Sequence, residues 1–117
     1  MEKLVIIKKV QDIDVLTFSF NEITLEQREQ LKKELSDLSR MREDRFIIDL
    51  SKVGFLSSLV IVAIMSFAKD VWGRNGEIKL SGLSSEMFSI FQLTRLDKIF
   101  ELYDTVDKAL ESFKSHT

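Results

Sequence analysis

Apolar positions along this chain change rhythm from end to end, and the changes predict its elements. Leu4 to Val10 mixes β-branched residues with lysines and predicts a first strand. Gln11 and Asp12 then make a polar turn. From Ile13 to Phe20, Leu16, Phe18 and Phe20 alternate with Val15, Thr17 and Ser19, as in a second strand. Two strands joined by so short a turn form a hairpin. The spacing then changes to that of a helix, with Leu31, Leu35 and Leu38, and Met41 one turn later, over about Leu25 to Met41. Thr24 is placed as its N-cap, with Gln27 completing a capping box. The other faces carry Glu26, Arg28, Glu29, Lys32, Lys33 and Glu34, whose mixed signs predict a solvated surface.

Residues 45 to 61 hold the densest apolar block. Phe46, Ile47, Ile48 and Leu50 are broken only by Asp49, the pattern of a central strand covered on both faces. Ser51, Lys52 and Gly54 mark a loop, and a long apolar segment begins at Ser58. Val60, Ile61 and Val62 favour a strand by propensity. The length of the segment, Ser58 to Trp72, decides for a helix, with Gly73 as its C-cap. Its first half is apolar nearly all round and is expected to be deeply covered. Asn75-Gly76 forms a turn, Glu77 to Ser81 a short strand, and Gly82 breaks it. Ser84 or Ser85 caps a short helix holding Met87, Ile90 and Phe91 and ending near Leu93. Leu96 and the run Ile99 to Tyr103 lead into a last strand. Asp104 or Thr105 caps a final helix with Val106, Ala109, Leu110 and Phe113 on one face. The order ββαβαβαβα predicts a single α/β domain over residues 1–117. Its sheet is mixed and mostly parallel, of about five strands opened by a β-hairpin, with four helices packed on it.

Composition narrows the function classes. A net charge of -2 argues against general nucleic-acid binding, which leaves a basic imbalance. The chain has no cysteine, so disulfides, thiolate metal sites and cysteine nucleophiles are excluded. The run Leu59 to Met65 is too short for a membrane span, and lysines interrupt the apolar N-terminal patch, so a cytoplasmic protein is expected. The single histidine, His116, lies one residue from the C-terminus. The four glycines fit neither the Walker nor the dinucleotide pattern, and no His, Asp and Glu cluster has metal-ligand spacing. No catalytic residue, cofactor or metal is expected. Asp49 interrupts a buried strand; a carboxylate there near a strand end is expected to accept backbone hydrogen bonds. Arg40, Arg42 and Arg45 make a local basic cluster, either a favourable end to the helix dipole or an anion or partner contact.

Ser57 and Ser58 stand at a helix start after a central strand, where α/β folds commonly place working groups. One of the two is expected to cap the helix. The stretch DLSKVGFLSS, with the apolar helix behind it, resembles the STAS domain of the anti-sigma factor antagonists. The later stretch LTRLDKIFELYDTVDKALESF is similar to the end of those proteins, where a Leu-x-x-Leu-Asp-x-Ile-Phe run leads to a short strand and an Asp-x-Val-x-x-Ala-Leu helix. The resemblance spans essentially the whole chain. It implies partner switching: the unphosphorylated protein binds an anti-sigma factor, often a serine kinase, and phosphorylation of a serine at this helix start ends the binding. A serine phosphatase resets the switch. Aligned on the family's Asp-Ser-(Ser, Thr or Ala)-Gly-Leu motif, Ser57 replaces the Asp, Ser58 is the acceptor, and Leu59 and Val60 stand at the small residue and the glycine. Ser57 is the alternative acceptor. Phe55, Ser57, Ser58 and Leu59 are the expected partner-binding residues.

Bulk at Leu59 and Val60 is expected to crowd a surface that the family keeps small. The departures at Ser57, Leu59 and Val60 also motivate a second possibility, a STAS scaffold in a larger regulatory assembly that is never phosphorylated. A third is a nucleotide or small-ligand site at the same helix N-terminus. A phosphate on Ser58 would itself add a charge of about -1.5 to -2 beside the free N–H groups of the helix start, where the helix dipole favours it.

Overall fold

In the computed structural model, residues 2–41 and 43–114 are described; Arg42 and His116 lie outside them. Strands β1 (Val5–Val10) and β2 (Ile13–Phe18) form the opening hairpin, with Gln11 at φ 58° in its turn. Helix α1 (Arg28–Ser39), β3 (Arg45–Asp49), α2 (Ser58–Gly73), β4 (Glu77–Ser81) and α3 (Ser85–Leu93) follow. A 3-10 turn at Leu96–Lys98, β5 (Glu101–Tyr103) and α4 (Val106–Lys114) complete the chain. The sheet order is β1-β2-β3-β4-β5, with β1 antiparallel to β2 and every other pair parallel. The predicted element order and mixed sheet are therefore those of the structure, and β3 is literally the middle strand.

Each crossover moves one strand further in the same direction. Right-handed connections therefore place α1, α2 and α3 on one face. Only α4, which follows the last strand, is free to cover the other. Side chains obey that division. Leu16, Phe18, Phe46, Ile48, Ile78 and Leu80 face the three-helix layer, where Phe46 meets Phe67 edge-on at 5.0 Å. Ile13, Val15 and Ile47 face α4, against Ala109 and Phe113. The apolar run of β3 is explained by this two-sided cover.

Several boundaries and roles differ from expectation. The Thr24–Gln27 capping box forms, with Gln27 N donating to Thr24 Oγ1 at 3.2 Å and Thr24 N to Gln27 Oε1 at 3.1 Å. It closes a turn over residues 25–27, however, and α1 itself begins directly after it at Arg28. Glu34 belongs to no solvated face: its carboxylate accepts from the N–H groups of Leu4 and Val5 at 2.9–3.1 Å and ties the start of β1 to α1. Gly73 is the last residue of α2, and Arg74 is the C-cap. The Arg74 guanidinium reaches back to the end of α1, donating to the Ser39 carbonyl and, at 2.9 Å, to that of Glu43. These carbonyls lie at or past a helix end, where such groups need partners. Arg45 pairs with Glu77 at 3.8 Å on the adjoining strand.

Lys79 was not foreseen in the core. It alternates with Ile78 and Leu80 and so points at α4, fully buried. Its Nζ lies 4.1 Å from the centre of the Phe113 ring and 5.5 Å from that of Tyr103. It also contacts Ser112 Oγ at 2.6 Å and Glu101 at 3.6 Å. A cation over aromatic faces with two oxygen partners offsets its desolvation. The Tyr103 phenol donates to Glu101 at 2.8 Å, and burial, foremost, pushes its pKa upward. This cluster fastens the single helix on that face. Lys79→Ala is expected to lower stability by about 3 kcal/mol through cavity and lost pairing. Lys79→Met, which keeps the stem between the rings, should cost only about 1 kcal/mol. Chemical denaturation of both variants checks this, and equal losses would show that the charge rather than the stem holds α4.

Candidate functional site

The loop from β3 to α2 is fixed by its neighbours on both sides. Leu50 N donates to Ser81 O at 2.9 Å, extending the β3–β4 ladder by one residue. Asp49 Oδ1 accepts from Ser51 N at 3.0 Å, and its other oxygen lies 3.5 Å from Thr17 Oγ1. Asp49 is thus a strand-end hydrogen-bond acceptor, as its position predicts. Gly82, at φ 75°, lets the β4–α3 loop approach closely; a Cβ there would lie 2.7 Å from Ser51 N. On the other side the Asn21 carbonyl accepts two bonds, from Gly54 N at 2.8 Å and Phe55 N at 3.1 Å. Gly54 has no side chain to collide with that of Asn21. Asn21 went unrecognised in the sequence, where a lone asparagine before a helix cap carries no spacing signal.

This clamped loop delivers the two serines in different states. Ser57 has extended backbone, at φ -82° and ψ 164°, and its Oγ accepts from Val60 N at 3.4 Å. It is half-buried and is the N-cap. Ser58 is the first helical residue and is exposed, and its hydroxyl makes no hydrogen bond within the described residues. The cap role therefore falls to Ser57. Phe55 is 56% exposed three residues before Ser58. Leu59 is half-buried and packs against the core, so it offers an edge of its side chain rather than a projecting face.

Two expectations about α2 are corrected here. Val60 does not crowd the outer surface; it is fully buried and points into the three-helix layer. The helix is also not covered all round. Val62, four residues after Ser58 and so on the same stripe, is 62% exposed. The exposed stripe runs Ser58, Val62, Ser66 and Lys69. A continuous β-branched run (Val60-Ile61-Val62) hid this, because such residues on a helix surface give no hydropathy contrast with buried ones.

A further neighbour comes from α1. Both α1 and α2 return the chain to the start of a parallel strand on one face of the sheet, so they run side by side in the same sense. Arg28 and Lys32, in the first turns of α1, line one groove with Ser58, Leu59 and Val62 of α2. No helix among the described residues is long and apolar enough to cross a membrane. No group of three or more His, Cys, Asp or Glu among them could hold a metal ion.

The class this arrangement defines is a small α/β domain that presents a clamped helix start at the end of its central strand. The STAS domain family profile matches residues 5–109, and the chain belongs to that family. A Thermotoga maritima protein provisionally named an anti-sigma factor antagonist is 26% identical over 108 residues, covering 91% of this chain and 95% of the relative. The crystal structure of a T. maritima protein with the same provisional name superposes with a TM-score of 0.84 at 25% identity, over 92% of each chain. The Bacillus cell fate determinant SpoIIAA, in its phosphorylated form, superposes with a TM-score of 0.72 at 16% identity, over 93% of this chain and 98% of its own. The chain is accordingly a STAS domain protein, and the T. maritima relative that it matches over nearly its whole length carries the provisional name of an anti-sigma factor antagonist.

The division of labour between the serines is open to direct measurement. Ser57→Ala should cost about 1 kcal/mol of stability by removing the cap. Ser58→Ala, at an exposed position, should stay within about 0.5 kcal/mol of the parent. Thermal unfolding of the two variants decides, and the reverse order would assign the cap to Ser58.

Proposed function

We propose that this protein works by partner switching, binding an anti-sigma factor of the serine-kinase type while unphosphorylated and letting go when Ser58 carries a phosphate. The observation that carries this reading is the exposed, unbonded hydroxyl of Ser58 on a rigid helix start, with the cap supplied by Ser57. An acceptor hydroxyl must reach a kinase active site without unfolding its own domain, and Ser58 meets that need. Phe55, Ser57, Ser58 and Leu59 form the docking surface around it, with Phe55 as the exposed apolar contact. The likeness to SpoIIAA, a protein whose phosphorylated form has been solved, supports a covalent switch on this fold. A serine phosphatase closes the cycle.

The physics of release follows from position. A phosphate on the first residue of α2 adds about two negative charges beside N–H groups that no helical carbonyl accepts. The helix dipole favours those charges, so the fold tolerates them. A partner docked over Ser58 must desolvate them and face any acidic group of its own, and a loss of about 1.4 kcal/mol weakens binding tenfold. Ser57 already accepts the Val60 N–H. Ser57 is half-buried and engaged, whereas the Ser58 hydroxyl is exposed, which favours Ser58 as the acceptor.

Ser58→Asp is expected to weaken binding to the anti-sigma factor encoded in the same genome by about tenfold or more while leaving the melting temperature unchanged. Calorimetric titration of the purified pair measures the first and differential scanning the second. Phosphopeptide mass spectrometry on the protein from its native host, grown with and without stress, should find phosphate on Ser58 that varies with condition. Phosphate on Ser57 would move the acceptor by one residue. Equal binding by both forms, with no phosphate in any condition, would instead make the domain a constitutive scaffold in a larger assembly.

A further inference from the structure

Between α1 and α2 lies a groove of about 470 Å³, within the size range of small-molecule sites. Its depth comes from buried side chains: Leu31, Leu35, Ala63 and Phe67 line it and are each 6% exposed or less. Its two ends differ in charge. Because the helices are parallel, Arg28 and Lys32 sit at the end where Ser58 lies, and Asp70 closes the other. The two cations are held only loosely, by the exposed Glu29 at 3.6 Å and 4.0 Å. Exposed pairs of this kind are worth little, so an anion can displace them. From Ser58 to Asp70 the helix rises about 18 Å at 1.5 Å per residue, room for a hydrocarbon chain lying lengthwise.

We infer that this groove binds a single-headed anionic amphiphile of medium chain length. The anionic head pairs with Arg28 and Lys32 beside the Ser58 hydroxyl, and the tail lies over Leu35 and Phe67 toward the far end. Asp70 there disfavours a molecule with a second anionic end, which separates this ligand from dicarboxylates. The consequence for regulation rests on the role proposed for Ser58: an occupied groove covers the acceptor hydroxyl, and a phosphorylated Ser58 repels the head. Amphiphile binding and phosphorylation then exclude one another.

The full chain, labelled with nitrogen-15, is titrated with decanoate below its micellar concentration and followed by amide NMR. Saturable shifts confined to residues 28–36 and 58–70 are expected, with none from butyrate, which lacks the tail. Decyltrimethylammonium, with a tail of the same length and the opposite head charge, should bind about tenfold more weakly or not at all. The double variant Arg28→Gln, Lys32→Gln changes only exposed side chains and should weaken decanoate about tenfold. Ser58→Asp, which sets a like charge beside the head, should also weaken it. No saturable shift with decanoate, or equal binding of the two head groups, overturns the site. Unchanged binding by Ser58→Asp overturns the placement of the head. This titration needs no phosphate and no partner, so its failure leaves partner switching standing, and a missing phosphate on Ser58 leaves the groove standing.

Discussion

The main-chain carbonyl of Asn21 is the contact on which the working end of this protein depends. It accepts from two consecutive amides, those of Gly54 and Phe55, and so pins the β3–α2 loop to the β2–α1 loop. Gly82 presses the same loop from the other side, through a backbone approach that a Cβ would forbid. Held between these neighbours, the chain has one way to enter α2, with Ser57 turned in to cap and Ser58 turned out to solvent. The proposed switch would gain from that placement: a partner or kinase that meets Ser58 would pay no ordering cost for the loop, and a phosphate would alter charge without altering backbone.

The sheet explains why the loop can be so firmly placed. Leu16, Ile48 and Leu80 lie side by side in register on three adjacent parallel strands, all fully buried. Three helices cover them, and among the described residues the opposite face rests on α4. The polar row Thr17, Asp49, Ser81 and Tyr103 crosses that second face at matching register positions, at the strand ends near the β3–α2 loop. Lys79 and its ring partners hold α4 just before that row begins. The apolar core thus ends where the polar loops start, and the serines stand on the far side of that boundary.

Much of this was legible in the sequence because it is written in periodicity. Alternation in the hairpin, the unbroken run of β3 and the i, i+3, i+4, i+7 face of α4 each name an element without outside help. The site was legible only in part. The pair Ser57-Ser58 marked the helix start, but which serine caps depends on a backbone angle that no pattern encodes. Val60 and Val62 look alike as letters, yet one is fully buried and the other 62% exposed. Glu34 reads as a solvent residue, and no pattern marks Lys79 as buried, because a buried or bonded charge is recognised by its partners, which come from distant parts of the chain. Asn21 acts through its carbonyl, a group every residue has, and so left no trace in residue type.

The central claim is that Ser58 is a switch of charge on a fixed scaffold. The most direct test compares amide NMR spectra of the protein with serine and with phosphoserine incorporated at position 58. The account predicts shifts limited to the loop at 54–57, the first turns of α2 and the facing first turns of α1, with the sheet unmoved. Shifts spread through β3, β4 and α4 would contradict it, because they would mean that the phosphate acts by rearranging the domain.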